Sequence, residues 1–280
     1  MKEINVNRIA EAVKDACGRM AVYYPADILH QLQECREKEE GASRDAMDML
    51  VANADIAAKE NIPICQDTGM VIAYVTLGQD VHLVGGTLQN AIDEGVRRGY
   101  TENYLRASVV DDPLFGRQNT KDNAPAIVYT ELIEGEVLRI DLMAKGFGSE
   151  NMSAVKMLKP AQGRDGVKEF VLDVIKTAGP NACPPMIVGI GIGGTFDLCA
   201  VLAKKALLRG MNVRSKDAQY AALEEEIIEE ANALKIGPMG LHGKTTVLNA
   251  AIETYPTHIA GLPVAVNICC HACRHERIEL

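Results

Sequence analysis

The sequence predicts a mixed α+β fold, an irregular α/β architecture with a helical N-terminal region packed on mixed sheets and interleaved helices. Three observations carry this expectation. Apolar residues recur three and four apart from Ile4 to about Asn61, apolar strand-like runs alternate with helical segments after that, and turns suited to hairpins fall among the strands. Of the 280 residues 48% are hydrophobic but only 4% are aromatic and none is Trp, so Ala, Val, Ile, Leu and Met must build the core. Residues 1–280 are expected to form a single domain, with the helical front end at about 1–61 and a mixed α/β remainder.

The front end divides into about three helices, broken at Pro25 and at the Gly41-Ala42-Ser43 turn, where Ser43 can cap the helix that follows. Strands are expected at 70–77 and 81–84, then a helix at 88–98, then strands at 126–132 and 137–144 joined by a turn at Glu134-Gly135. Helices follow near 154–158 and 166–177, a strand at 186–191, long helices at 196–208 and 218–234, and a short strand at 261–268. No repeat, low-complexity tract or linker interrupts this order.

A net charge of -9 with both signs interspersed argues against nucleic acid as a partner, because phosphate neutralisation needs a clustered basic face. The most apolar stretch, 186–203, is interrupted by four glycines and Asp197, so a buried strand and helix suit it better than a membrane span. The first residues alternate charges with Ile9, Val13 and Cys17 on one helical face, unlike a signal or transit peptide, and a cytoplasmic location is expected. Eight cysteines in such a compartment point to metal binding for some of them rather than to disulfides.

Several turns concentrate chemistry. Pro63-Ile64-Cys65-Gln66-Asp67-Thr68-Gly69-Met70 places a thiol, an amide and a carboxylate together between a helix and a strand; a polar turn around a half-buried Cys is the ordinary alternative. Ala144-Lys145-Gly146-Phe147-Gly148-Ser149-Glu150-Asn151 leads from a strand towards a helix, and its amides can form a nest for a carboxylate. Gly179-Pro180-Asn181-Ala182-Cys183-Pro184-Pro185 sets Cys183 on a rigid loop. The run Gly189-Ile190-Gly191-Ile192-Gly193-Gly194 matches the dinucleotide fingerprint between a strand and a helix, but the acidic residue such a site needs has no candidate, since Asp217 opens a helix instead. Gly243-Lys244-Thr245 ends like a P-loop, yet Pro238 stands where its first glycine belongs. Cys269-Cys270-His271-Ala272-Cys273 lacks the separated ligand pairs of structural zinc. Thiols on three separated loops can instead hold three irons of a cubane cluster and leave the fourth iron open as a Lewis acid.

The segments PICQDTGM, LRASVVDDPL with NTKDNAPA, AKGFGSEN, NACPPMIVGIGIGGTFDLCAVLAKKALL, HGKTTVLNAAIE and THIAGLPVAVNICCHACR resemble, in order and over nearly the whole chain, the motifs of the class I iron–sulfur fumarate hydratase and L-tartrate dehydratase family. The resemblance implies the alpha, cluster-binding half of such a hydro-lyase, with a [4Fe–4S] cluster on Cys65, Cys183 and Cys270. Cys270 is chosen because the family's ligand stands just before His271-Ala272; Cys269 and Cys273 depart from the usual pattern. The same resemblance places Gln66, Asp67, Arg106, Gly148 and His258 at substrate-contacting positions, with Asp67 the catalytic candidate. Ordinary alternatives for two of them are an Arg106 pairing with Asp111 or Asp112, and a His258 capping the turn after Pro256.

Single-chain relatives continue into a second domain, so a separate beta subunit is expected to complete the site, in a heterotetramer or other higher oligomer. It would bring further carboxylate-binding groups and the Thr or Lys side chains that finish proton transfer. The expected reaction is reversible hydration of fumarate to (S)-malate, with L-tartrate dehydration as the close alternative; both substrates are C4 dicarboxylates. More remote readings are a nicotinamide oxidoreductase and a non-catalytic cluster-binding subunit.

Overall fold

The computed structural model describes residues Met1–Leu280. In chain order the elements begin with β1 (Lys2–Asn5), α1 (Val6–Val22), α2 (Ala26–Lys38), α3 (Gly41–Glu60), β2 (Met70–Gly78), β3 (Val81–Val84) and α4 (Leu88–Glu102). They continue with β4 (Ile127–Ile133), β5 (Leu138–Lys145), the single turn α5 (Phe147–Glu150), β6 (Ala154–Leu158), α6 (Gly163–Ala178) and β7 (Met186–Gly193). The last are α7 (Phe196–Ala206), α8 (Ala218–Ala233), β8 (Val247–Tyr255), β9 (Leu262–Cys269) and β10 (Arg274–Glu279). The fold is α+β, as the interleaved pattern predicts. No helix is long and apolar enough to cross a membrane.

The chain divides into two compact units, one of Met1–Pro25, Ala54–Phe147 and Arg274–Leu280, the other of Ala26–Asn53 and Gly148–Cys273. In the first unit a sheet of order β10-β5-β2-β4 has β2 parallel to β4 and antiparallel to β5, while β1 and β3 form a separate parallel pair. Asn5 caps α1 by accepting the Asn7 amide at 2.9 Å. Helices α1 and α4 cover the sheet with Ile9, Val13, Ile92 and Val96 against Val71, Val75, Ile140 and Leu142. Each such fully buried aliphatic side chain contributes about 1.5–3 kcal/mol. The phenol of Tyr100 on α4, 2% exposed, donates to the carbonyls of Thr68 at 2.7 Å and Gly69 at 3.1 Å, and so fastens the loop before β2.

In the second unit the sheet order is β6-β9-β7-β8, with β7 parallel to β8 and antiparallel to β9. Along β7 the side chains alternate. Met186, Val188 and Ile190 pack with Val171 and Ile175 of α6 and Ile227 of α8. The opposite face presents Gly189 and Gly191 to α7, where an added Cβ would stand 1.9 Å from the Ala203 carbonyl and 2.0 Å from that of Cys199. The glycine run is therefore a seat for a closely packed helix.

Four sequence-based expectations give way to the structure. Residues 154–158 form strand β6, paired antiparallel with β9, and not a helix; five residues are too few to display a helical period. The strands at 126–144 do not form the expected hairpin, because β4 and β5 lie on either side of β2 and the Glu134-Gly135 turn passes over its end, where the Gly78 and Asp80 amides donate to the Val137 and Gly135 carbonyls. Ile4 and Asn5, expected to open the first helix, belong instead to strand β1. Ser43 does not cap: it lies inside α3, buried, and donates its hydroxyl to Glu39 at 2.9 Å and to the Glu40 carbonyl at 2.8 Å.

Candidate active site

In the first unit, the loop between α3 and β2 and the loop between α4 and β4 enclose a cavity of about 560 Å³. Gln66, Asp67, Arg106, Ser108, Arg117 and Phe147 are among the residues that line it. Three of the expected substrate-contacting residues, Gln66, Asp67 and Arg106, are thus brought together. Gly148 and His258 belong to the second unit, where both are exposed; the His258 imidazole Nδ1 accepts the Ala260 amide at 3.2 Å, so it does turn back onto its own loop.

Asp67 is held on both oxygens. Its Oδ1 accepts the Gly69 amide at 2.9 Å and its Oδ2 accepts the Phe147 amide at 2.8 Å, which ties the first thiol-bearing loop to the end of β5. One amide of the expected anion nest is therefore spent on a carboxylate of the protein itself. Gly146 leaves room for this contact: a Cβ there would stand 3.1 Å from Asp67 Oδ2 and 3.5 Å from Nη2 of Arg274. Arg274, 2% exposed, brings a buried cation beside the loop, with Nε and Nη1 making no hydrogen bond.

Arg106 makes no ion pair with Asp111 or Asp112. Those carboxylates serve the loop itself: Asp111 Oδ1 accepts the amides of Asp112 and Gln118, and Asp112 Oδ1 accepts those of Leu114 and Phe115. The Phe115 and Leu114 amides hold the Asp112 carboxyl below its ordinary range. Arg106 is anchored through its backbone, whose carbonyl accepts the Thr68 hydroxyl at 2.7 Å, and its side chain is exposed along the cavity. Ser108 and Arg117 escaped the sequence reading. Arg117 sits in the loop just before the Asn119-Thr120 motif, and only the fold of that loop turns it to the cavity.

None of the eight cysteines forms a disulfide, and they separate by exposure. Cys65 and Cys270 are half-buried and Cys183 is exposed, while Cys17, Cys35, Cys199, Cys269 and Cys273 are buried. Burial pushes the Cys17 thiol up to about 12 and raises Cys35 and Cys199 as well, which disfavours the thiolate that a metal requires. Cys65 donates to the Gln66 side-chain oxygen at 3.4 Å. Cys183 follows a short 3-10 turn in a left-handed conformation at φ 51°. Among neighbours on one strand end, Cys269 points into the core at 2% exposure and Cys270 does not. The donor set outside the core is therefore three thiols, a composition that fits an iron–sulfur cluster with one open iron. Cys65 lies in the first unit and Cys183 and Cys270 in the second; no group of three or more His, Cys, Asp or Glu side chains forms a ready-made metal site.

The P-loop-like segment is filled from within. Glu39, 3% exposed, accepts the Lys244 amide at 2.9 Å and the Thr245 amide at 2.6 Å, so this turn offers its donors to a carboxylate of the chain rather than to a nucleotide.

Comparison with known proteins agrees with the motif series. The chain is 40% identical over 285 residues to a Methanocaldococcus jannaschii protein provisionally named L(+)-tartrate dehydratase subunit alpha, covering 98% of both chains. It is 31% identical over 282 residues to the L(+)-tartrate dehydratase subunit alpha of Escherichia coli strain UTI89, covering 100% of this chain and 93% of the relative. The strain K12 protein of that name is 30% identical over 276 residues, with coverage of 98% and 91%. Residues 10–279 match the family model described as fumarate hydratase (Fumerase), and the chain belongs to that family.

Proposed function

We propose that this chain is the alpha subunit of a two-subunit [4Fe–4S] hydro-lyase that acts on a C4 dicarboxylate, with L(+)-tartrate ahead of fumarate as the substrate. The observation that carries the reading is the division of the eight thiols: the three outside the core are the three that the motifs single out, Cys65, Cys183 and Cys270. The names of the relatives, each an alpha subunit of L(+)-tartrate dehydratase, favour tartrate and a beta-subunit partner. Fumarate hydration stays as the second reading because the matching family model is described by that reaction.

When bound, the cluster supplies an open iron as Lewis acid for the substrate hydroxyl. This chain's residues do the rest of their half of the work. Arg106 grips a substrate carboxylate with its guanidinium fork, Gln66 donates an amide hydrogen bond, and Gly148 and His258 offer further donors. Asp67 keeps lone pairs beyond the two amides it accepts and orients the proton-transferring group against the substrate.

The test is anaerobic reconstitution of the complex with its beta subunit, followed by iron and sulfide counts and by assays with L(+)-tartrate and fumarate. Cys65→Ser, Cys183→Ser and Cys270→Ser are each expected to lose the cluster, and the wild type to turn over tartrate faster than fumarate. Full clusters in all three variants, or no turnover of either substrate, would overturn the reading.

A further inference from the structure

We infer that Arg117 is a second carboxylate receptor of the cavity, working with Arg106 to make the site selective for dicarboxylates; the inference rests on the function proposed above. Arg106 and Arg117 are the only cations lining the cavity, and Asp67 is the only acid. Asp67 already accepts two backbone amides. Neither arginine makes an ion pair within 4 Å; the Asp111 and Asp112 carboxylates accept backbone amides of the same loop, and Asp112 feels Arg117 only as its weakest influence, a charge attraction. The cavity therefore presents two guanidinium groups against one occupied carboxylate, a balance that suits a dianion.

The loop is built to aim Arg117. Its backbone takes a left-handed conformation at φ 47°, and its Nη1 donates to the Pro113 carbonyl across the turn that Asp112 organises. With Nη1 held, the Nε–Nη2 edge of the fork remains, and that edge has the geometry for bidentate carboxylate binding. Arg106 descends from the end of α4 and Arg117 from the far side of the loop, so the two forks reach the cavity from separate stretches of backbone. A monocarboxylate needs only one of them.

The experiment uses the reconstituted complex, with Arg117→Gln and Arg117→Lys, and with succinate and butyrate as competing di- and monocarboxylate probes. Arg117→Gln is expected to raise KM and the succinate inhibition constant roughly 10- to 100-fold, the loss of one charge-assisted pair, with kcat within a few-fold. Butyrate inhibition and the cluster's absorption spectrum should stay as in the wild type, and Arg117→Lys should recover part of the succinate affinity. An unchanged succinate constant, or equal weakening of succinate and butyrate, would make Arg117 a brace for its loop and overturn the inference. Succinate binding is also measured by calorimetry, so Arg117 can be judged even if the wild type hydrates or dehydrates neither tartrate nor fumarate, a result that would refute the proposed function alone.

Discussion

At the scale of single residues, the loop that carries Cys65 is positioned by what lies around Gly69. Its φ of +80° is one that L side chains rarely adopt, and a Cβ there would come within 2.7 Å of the Ala144 carbonyl carbon and 2.9 Å of the Lys145 amide. Gly69→Ala should therefore cost about 2–4 kcal/mol, from backbone strain together with overpacking against β5. Urea unfolding of the variant would show this, and a midpoint equal to wild type would mean the loop adjusts freely. The sequence made Cys65, Gln66 and Asp67 conspicuous because rare chemistry crowded into one turn. It could not reveal that both oxygens of Asp67 hold backbone amides, because one of those amides belongs to Phe147, 80 residues away. Arg117 was hidden for a related reason: a lone arginine in a polar loop looks like solvated surface, and it is exposed here too, until the fold of the loop sets it along the cavity.

At the scale of elements, Glu39 joins the start of α3 to the turn before β8. It is buried, and burial alone would push its carboxyl up; the Lys244 amide, the Thr245 hydroxyl and amide, and the Ser43 hydroxyl outweigh this and hold it below its ordinary value. A carboxyl lowered in the folded state adds stability that is complete above the unfolded value and fades as pH falls through the folded one. Glu39→Gln should therefore lower stability by about 1–3 kcal/mol at neutral pH, with the gap from wild type closing in the acid range below 4.5. Urea midpoints collected from neutral to acid pH check this, and a gap that widened on acidification would contradict it. Long elements with a clean period, such as α1, α4 and β7, could be read directly from the chain. The strands that escaped reading lack such a pattern. β8 is VLNAAIETY, whose alanines carry no strand preference, and β10 is RHERIE, an edge strand whose charges conceal the buried Arg274 and Ile278.

At the scale of the whole molecule, the chain passes between its two units four times, after Pro25, Asn53, Phe147 and Cys273. Neither unit is a continuous segment, and one of the divisions falls inside helix α3. We propose that the 280 residues unfold as one domain: the cluster-free chain should give a single transition, with circular dichroism and calorimetry coincident. Two separated transitions would contradict it. The same threading sets an order on synthesis. The first unit opens with β1 and α1, yet an edge strand of its four-stranded sheet, β10, pairs with β5 across residues 274–279 and leaves the ribosome only after every residue of the second unit. The half of the protein that is translated first is thus the half completed last, and a chain interrupted in its final few residues would carry a whole second unit beside an open-edged first one.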